Sequence, residues 1–263
     1  MLSRRARLKF AMGSIGLGLL LLLLWEWLAV QWQWSSLVMP TPSRVLVALW
    51  QGLQSGYFFP HVLHTAGEMA LGLTLGSVLG LAGGIALGES PRWRRLLMPY
   101  VVMSQVVPKL ALVPLFIMWL GFGWWPTVVI TALICFFPLL ENTITALQHV
   151  DPQQLELFRV LRASRTQTWW RLKLPAGLPT ILAGFRVAVV LALVGAVVGE
   201  FIGSGKGLGA LIIAAQGSMD TPLMFAVLVL ITGMGLVSYQ LSVLLERQLL
   251  RRWALPPTSS DFH

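Results

Sequence analysis

The sequence predicts an all-α polytopic membrane protein with six transmembrane helices, and three observations lead to that prediction. Apolar residues make up 56% of the 263 residues and charged residues only 11%, against roughly 25% charged residues in soluble domains. Several apolar runs reach about 20 residues, the length that a helix needs to cross a bilayer. The cations lie between these runs, so the net charge of +9 indicates membrane orientation rather than nucleic-acid binding.

The first span is predicted over residues 10–30, after a cytoplasmic N-terminus of residues 1–9. A cleaved signal peptide fits the same basic start and apolar stretch. The stretch is long and lacks a small-x-small cleavage site, which favours an uncleaved helix. Residues 42–56 are too short and too polar to span, and Thr41 can cap them, so we expect an amphipathic helix on the outer surface.

Five further spans are predicted within a core of residues 62–250. They are Val62–Gly88, Leu96–Leu120, Thr127–Leu147, Pro179–Phe201 and Leu223–Leu245. In the second span, glycines recur every fourth residue from Gly72 to Gly88, so we expect a neighbouring helix to approach that stripe closely. Residues 251–263 form a cytoplasmic tail, predicted to be disordered.

The third span is interrupted by prolines and carries Lys109 in its middle. Broken backbone at membrane depth survives only against protein or a water-filled path, and an intramembrane lysine indicates function. The alternative is a lysine that snorkels or pairs with an acid such as Glu141. We predict a translocation path formed by Pro108, Lys109, Pro114, Glu141, Gly195, Gly199 and Glu200.

The charge distribution predicts that both termini are cytoplasmic. With the N-terminus inside, the inner segments hold fifteen of the nineteen lysines and arginines, and the outer segments hold only Arg44 and Lys206. The opposite orientation would reverse this bias and conflict with the positive-inside rule.

The longest polar run is the inner loop of residues 151–175, which is predicted to fold as two capped helices. Asp151 is a good N-cap with Gln154 as its capping-box partner, and Ser164 with Gln167 repeats the pattern. An amphipathic helix in a cytoplasmic loop favours contact with another protein. The alternative is a solvated loop that happens to be helical.

The sequence contains no recognisable catalytic or metal-binding motif. The glycine-rich stretch before Leu208 lacks the P-loop pattern, because Glu200 stands at the first glycine position and Gly207 replaces the required Ser or Thr. We interpret it as a linker ahead of a short helix. The four histidines are dispersed, and no nucleophile and base are paired, so an intramembrane enzyme is a weak alternative.

The central loop resembles the signature of permease subunits of ATP-binding-cassette importers, which is E-A-A, three residues, G, nine residues, I-x-L-P. Glu156 starts it, Arg162 takes the glycine position, and the segment Leu172–Pro175 closes it. Leu157 and Phe158 replace the two alanines. The signature's small residues would allow close packing, and larger side chains stand at these three positions.

The resemblance implies a type I importer permease fold and a homodimer with two cytoplasmic ATPase subunits and a periplasmic or lipid-anchored binding protein. ATP and magnesium would be held by the ATPase, and no cofactor by this chain. Leu155 and Phe158 would serve as apolar anchors on the ATPase. The implied coupling residues are Asp151, Leu155, Glu156, Phe158, Arg159, Leu161, Arg162, Ala163 and Ser164.

Further stretches, including Val198–Gly203 and Gly207–Gly209, resemble the branch that handles nitrate, alkanesulfonates, taurine and pyrimidine-type thiamine precursors. Thr221–Leu223 is similar to permeases for pyrimidine or riboflavin-like heterocycles, which are the predicted substrates. Alkanesulfonate, taurine or nitrate is the alternative. A stand-alone secondary transporter would usually show internal repeats with paired broken helices, and only one broken span is evident.

Overall fold

The computed structural model describes residues 4–32 and 37–253, and within them it contains helices and no strand. The predicted all-α membrane fold is confirmed. The helices are α1 Arg4–Gln31, α2 Pro42–Gln54, α3 Phe59–Glu89, α4 Pro91–Val106, α5 Val113–Leu120, α6 Trp124–Gln148, α7 Pro152–Val160, α8 Arg165–Thr168, α9 Leu174–Gly203, α10 Leu208–Gly217 and α11 Thr221–Trp253.

Four described helical segments are long and apolar enough to cross a membrane: α3, α6, Arg165–Gly203 and α11. A fifth is the broken pair of α4 and Lys109–Leu120. With the apolar part of α1, Gly16–Gln31, they are consistent with six spans. Residues 1–3 and 254–263, which include most of the predicted tail, lie outside the described residues.

The core is a three-helix unit of α3, α6 and α9, and the glycine stripe of α3 faces α6 as predicted. A Cβ placed at Gly80 would lie 2.6 Å from the Phe136 carbonyl oxygen and 2.9 Å from Leu139 Cβ. Such contacts show that the two backbones meet where α3 has no side chains. Buried apolar residues from all three helices, including Met69, Cys135 and Ala192, fill the space between them.

α9 also approaches α6 through small residues of its own. A Cβ at Gly195 would lie 3.1 Å from Thr131 Cα, and one at Gly199 would lie 3.1 Å from Thr127 Cα. Thr131 also contacts Gly72 of α3. α6 is therefore held between two glycine-bearing helices, which explains why it is the most buried span.

α2, α10 and α11 form a second apolar cluster. Thr41 caps α2 as predicted, accepting from the Arg44 amide. Val45 of α2 is buried with Leu211 of α10 and Val227 of α11. The location of α2 on the outer surface stays a prediction; the structure adds that Val45 of α2 packs on the protein, while Trp50 is exposed.

The second half of the central loop is longer and more regular than predicted. Helical structure runs from Arg165 through a π-helical turn, Trp169–Lys173, directly into α9. Proline clashes with the carbonyl four residues earlier in an α-helix, and a π turn widens the backbone. The π turn ends just before Pro175, which stands in the first turn of α9, so the helical segment Arg165–Gly203 continues past the proline.

Candidate functional site

The α7 segment begins as predicted at Asp151, whose carboxylate accepts a hydrogen bond of 2.9 Å from the Gln153 amide. The capping box predicted with Gln154 is wrong, because the cap engages Gln153 instead. Glu156 and Arg159 are exposed on the surface of α7. Both charged side chains are therefore available to a partner.

α7 ends at Arg162, which adopts the left-handed conformation at φ 51°. The Arg162 amide donates to the Arg159 carbonyl at 3.0 Å, and the Ala163 amide donates to the Phe158 carbonyl at 3.0 Å. This pair of bonds is a Schellman motif, whose left-handed position favours glycine. The glycine that Arg162 replaces in the family signature therefore has a backbone role.

Ser164 then starts α8 with the capping box that the sequence predicts. Its hydroxyl accepts from the Gln167 amide at 3.1 Å, and the Gln167 side chain accepts from the Ser164 amide at 2.8 Å. Because α8 continues into α9, the position of α7 is tied to the start of a core helix by the four residues 161–164.

The apolar side chains that α7 leaves exposed differ from the predicted anchors. Leu157 is 55% exposed, Val160 76% and Leu161 67%, while Leu155 and Phe158 are half-buried. Leu155 and Phe158 are less accessible than these three residues, and their role as docking anchors stays a prediction. The spacing of residues 157, 160 and 161 already places them on one helical face.

An ion pair connects the loop to α3. Lys173 Nζ lies 2.7 Å from one Glu89 carboxylate oxygen and 2.8 Å from the other. The two residues are 84 positions apart, so no local pattern predicts their meeting. The π turn and the end of α3 are thereby fixed to one another.

The third span is broken at Pro108, with an 80° bend between α4 and Lys109–Leu120. Val107 before it is extended, at ψ 123°, because a residue that precedes proline is driven out of the helical region. Lys109 lines a cavity of about 230 Å³ with Leu133 and Phe137 of α6. The break therefore places a cation beside the apolar face of another span.

Glu141 lies on that same face of α6, four residues beyond Phe137. It is exposed, and the described residues show no ion pair between it and Lys109. Pro108 and Pro114 are also exposed. Four of the predicted path residues thus belong to surfaces of the broken span and α6.

The remaining predicted path residues lie elsewhere. Gly195, Gly199 and Glu200 are buried, with the glycines packed against α6. Glu200 accepts hydrogen bonds of 2.6 Å from the Thr65 hydroxyl and 2.6 Å from the Gly209 amide. The structure does not bring these three together with Lys109, because they serve helix packing and the start of α10.

A family model described as "Binding-protein-dependent transport system inner membrane component" matches residues 72–251. The chain belongs to this family. It is a multi-pass membrane permease whose matched region includes α7, the broken span and the glycine-rich corner before α10. The predicted resemblance to importer permeases is confirmed.

Relatives of the permease carry several substrate names. The formylaminopyrimidine transport permease protein of Halalkalibacterium halodurans is 34% identical, covering 81% of this chain and 85% of the relative. The riboflavin transport system permease protein of Chloroflexus aurantiacus is 36% identical, over 83% and 81%. A Bacillus subtilis permease protein named for aliphatic sulfonates transport is 37% identical, over 82% and 79%.

The fold of the permease has a solved counterpart in the MetNI methionine ABC transporter in an inward-facing conformation. The TM-score is 0.62 at 18% identity, covering 74% of this chain and 95% of that chain. At that identity the similarity supports the type I importer permease fold and nothing finer.

Proposed function

We propose that the permease is the membrane subunit of an ATP-driven importer and that α7 is its docking helix for a separate ATPase. The observation that carries the proposal is the exposed apolar group Leu157, Val160 and Leu161, flanked by exposed Glu156 and Arg159. Exposed apolar side chains grouped on a helix with a charged rim are typical of a helix-in-groove contact. The chain has no P-loop motif, so ATP and magnesium belong to the partner.

The geometry around α7 suits the transmission of movement. The Schellman turn at Arg162 joins α7 to α8, which continues into α9, and the Lys173–Glu89 pair ties the same region to α3. In this proposal, ATP-driven closure of two ATPase subunits shifts the population between two arrangements of the permease. Asp151, Ala163 and Ser164 hold the shape of the docking helix rather than contact the partner.

We propose that α7 and both termini face the cytoplasm. Fifteen of the nineteen cations belong to segments that this orientation places inside, in accord with the positive-inside rule. α10 then lies at the outer side, where a periplasmic or lipid-anchored binding protein delivers the solute.

We propose further that two copies enclose the translocation path between their broken spans. Glu141 is exposed on a spanning helix, and a carboxylate facing lipid is costly. A second copy that covers the face of Pro108, Lys109, Pro114 and Glu141 would turn that face into a water-filled path. Gly195, Gly199 and Glu200 would not line the path. The two glycines hold α9 against α6, and Glu200 holds the start of α10.

The proposed solute is a pyrimidine or riboflavin-like heterocycle, supported by the names of two relatives. An alkanesulfonate, taurine or nitrate is the second candidate, supported by the name of a third relative and by Lys109, whose charge favours an anion. A stand-alone secondary transporter would leave the exposed face of α7 without a role.

Purification of the tagged permease in mild detergent from its native membrane tests the proposal. We expect an ATPase and a binding protein in the eluate, with two permease copies per complex by mass. Ligand screening of that binding protein, with riboflavin, formylaminopyrimidine and taurine as probes, then separates the two substrate classes. Recovery of the permease alone, under conditions that preserve a known importer complex, would contradict the proposal.

A further inference from the structure

Two glutamates that do not line the proposed translocation path meet inside the helix bundle near the start of α10. Glu68 of α3 and Glu200 of α9 are both fully buried, at 0% exposure. The Thr65 hydroxyl, one helical turn before Glu68 on α3, donates to Glu200 at 2.6 Å, so the two carboxyl groups lie side by side between α3 and α9. Two ionised carboxylates in contact inside a closed site repel each other strongly, so the pair needs a compensating group.

Each oxygen of Glu200 already accepts one hydrogen bond and, as part of a carboxylate, has room for another. One of its oxygens accepts from the Thr65 hydroxyl at 2.6 Å and the other from the Gly209 amide at 2.6 Å. Thr65 in turn accepts from the Leu208 amide at 2.8 Å. These bonds satisfy amides at the start of α10, where the helix dipole favours a negative charge. Glu200 therefore has the environment of a carboxylate.

Glu68 has the opposite environment. Neither of its oxygens accepts a hydrogen bond within the described residues. The nearest donor is His64 Nε2, 3.2 Å from one oxygen but without hydrogen-bond geometry. An ionised Glu68 would be a second buried charge with no donor, which is far more costly than a neutral, hydrogen-bonded carboxylic acid.

The other titratable groups around the pair do not supply the missing charge. His64 Nε2 lies 3.1 Å from the Ser204 hydroxyl, whose own hydrogen goes to the Lys206 carbonyl at 2.6 Å, so a neutral imidazole satisfies this contact. His61 faces the backbone of Gly207. The Lys206 side chain is exposed, and the described residues show no ion pair between it and either carboxyl.

We propose that Glu68 and Glu200 form a proton-binding site, in which Glu68 holds one proton and donates it to the Glu200 carboxylate. This proton joins α3 to α9 and, through Glu200, keeps the start of α10 in place. Its release to water breaks the Glu68 O–H bond and leaves two carboxylates in contact. The site is independent of the solute and of the ATPase partner.

Infrared spectroscopy of the purified permease at neutral pH tests the site directly. We expect a carbonyl stretch from a buried carboxylic acid, which disappears in Glu68→Gln and persists in the control Glu246→Gln. Glu246 is suitable because it pairs with Arg186. An ionised Glu68 paired with a charged His64 would give no such band. Absence of the band in the unmodified protein would therefore overturn the proposal. Persistence of the band in Glu68→Gln would overturn it too.

The thermal stability of two matched variants provides the second test. Glu68→Gln keeps a donor toward Glu200, so its melting temperature should stay close to that of the unmodified protein. In Glu200→Gln, the side-chain NH2 group would face either the Thr65 hydroxyl or the Gly209 amide, and both of these groups are donors. The melting temperature of this variant should therefore fall clearly below that of Glu68→Gln. The reverse order would show that the proton does not reside on Glu68. If Glu200→Gln fails to fold, the infrared result on Glu68→Gln still decides.

Discussion

Arg162 is a residue whose backbone conformation conflicts with its side chain. At φ 51° it occupies the left-handed region, which costs a non-glycine residue about 1–2 kcal/mol. The Schellman motif nevertheless requires that conformation to end α7, just before Ser164 caps α8. The chain therefore carries strain at the joint between its proposed docking helix and the core.

We predict that Arg162→Gly stabilises the permease by about 1 kcal/mol, because glycine adopts the left-handed conformation without cost. Thermal unfolding in detergent should show a higher midpoint. The matched control is Arg159→Gly, which places glycine inside α7 and should lower stability by about 1 kcal/mol. A midpoint for Arg162→Gly below that of the unmodified protein would show that the arginine side chain contributes more than the strain costs.

Glu156 is the residue at which charge reversal should act on function without harming the fold. It is exposed, so Glu156→Lys should insert normally into the membrane but should abolish transport, because it reverses the charge presented to the proposed ATPase. Uptake of the solute that the purified binding protein retains is the measurement. The permease level in the membrane serves as its control, and normal uptake by the variant would remove Glu156 from the docking surface.

At the scale of elements, the stability of the core depends on the glycine stripe between α3 and α6. We predict that Gly80→Ala destabilises the permease by about 1–3 kcal/mol, the usual cost of overpacking, because the added methyl group would meet the Phe136 carbonyl. Gly233→Ala in α11 is the matched control, since no atom lies within 4 Å of its Cβ position. Equal thermal midpoints for the two variants would refute the close approach of α3 and α6.

The elements that sequence reasoning predicted well are those specified by neighbouring residues. The capping box of Ser164, the glycine stripe and the break at Pro108 are all local patterns, and the structure contains each of them. The contacts that it missed join distant segments: Lys173 to Glu89, and Thr65 to Glu200, 135 positions apart.

The difference between the two apolar faces of α7 has a physical explanation as well. Helical spacing groups Leu157 with Val160 and Leu161 as readily as it groups Leu155 with Phe158. Only the packing of the loop against the bundle distinguishes the half-buried face from the exposed one. In the same way, the sequence allows Gly195 and Gly199 either to line a path or to pack against another helix. In the structure both glycines pack against α6.

At the scale of the whole molecule, the closely packed core of α3, α6 and α9 separates two surfaces. The exposed face of α7 lies at one end of α9, and the start of α10 lies at the other end, with α6 held between α3 and α9. Since α7 joins α9 through a short turn and α3 through the Lys173–Glu89 pair, force applied to α7 would move these helices together. In the proposed mechanism, this force comes from an ATPase docked on α7.

The most direct test is copurification of the ATPase with permease variants altered on α7. We predict that Leu157→Asp with Val160→Asp loses the ATPase but retains the second permease copy, because buried unpaired carboxylates would oppose docking. Gln153→Asp with Gln154→Asp adds the same charge to exposed positions nearby and should retain the ATPase. Equal recovery of the ATPase with both double variants would contradict the assignment of α7 as the docking helix.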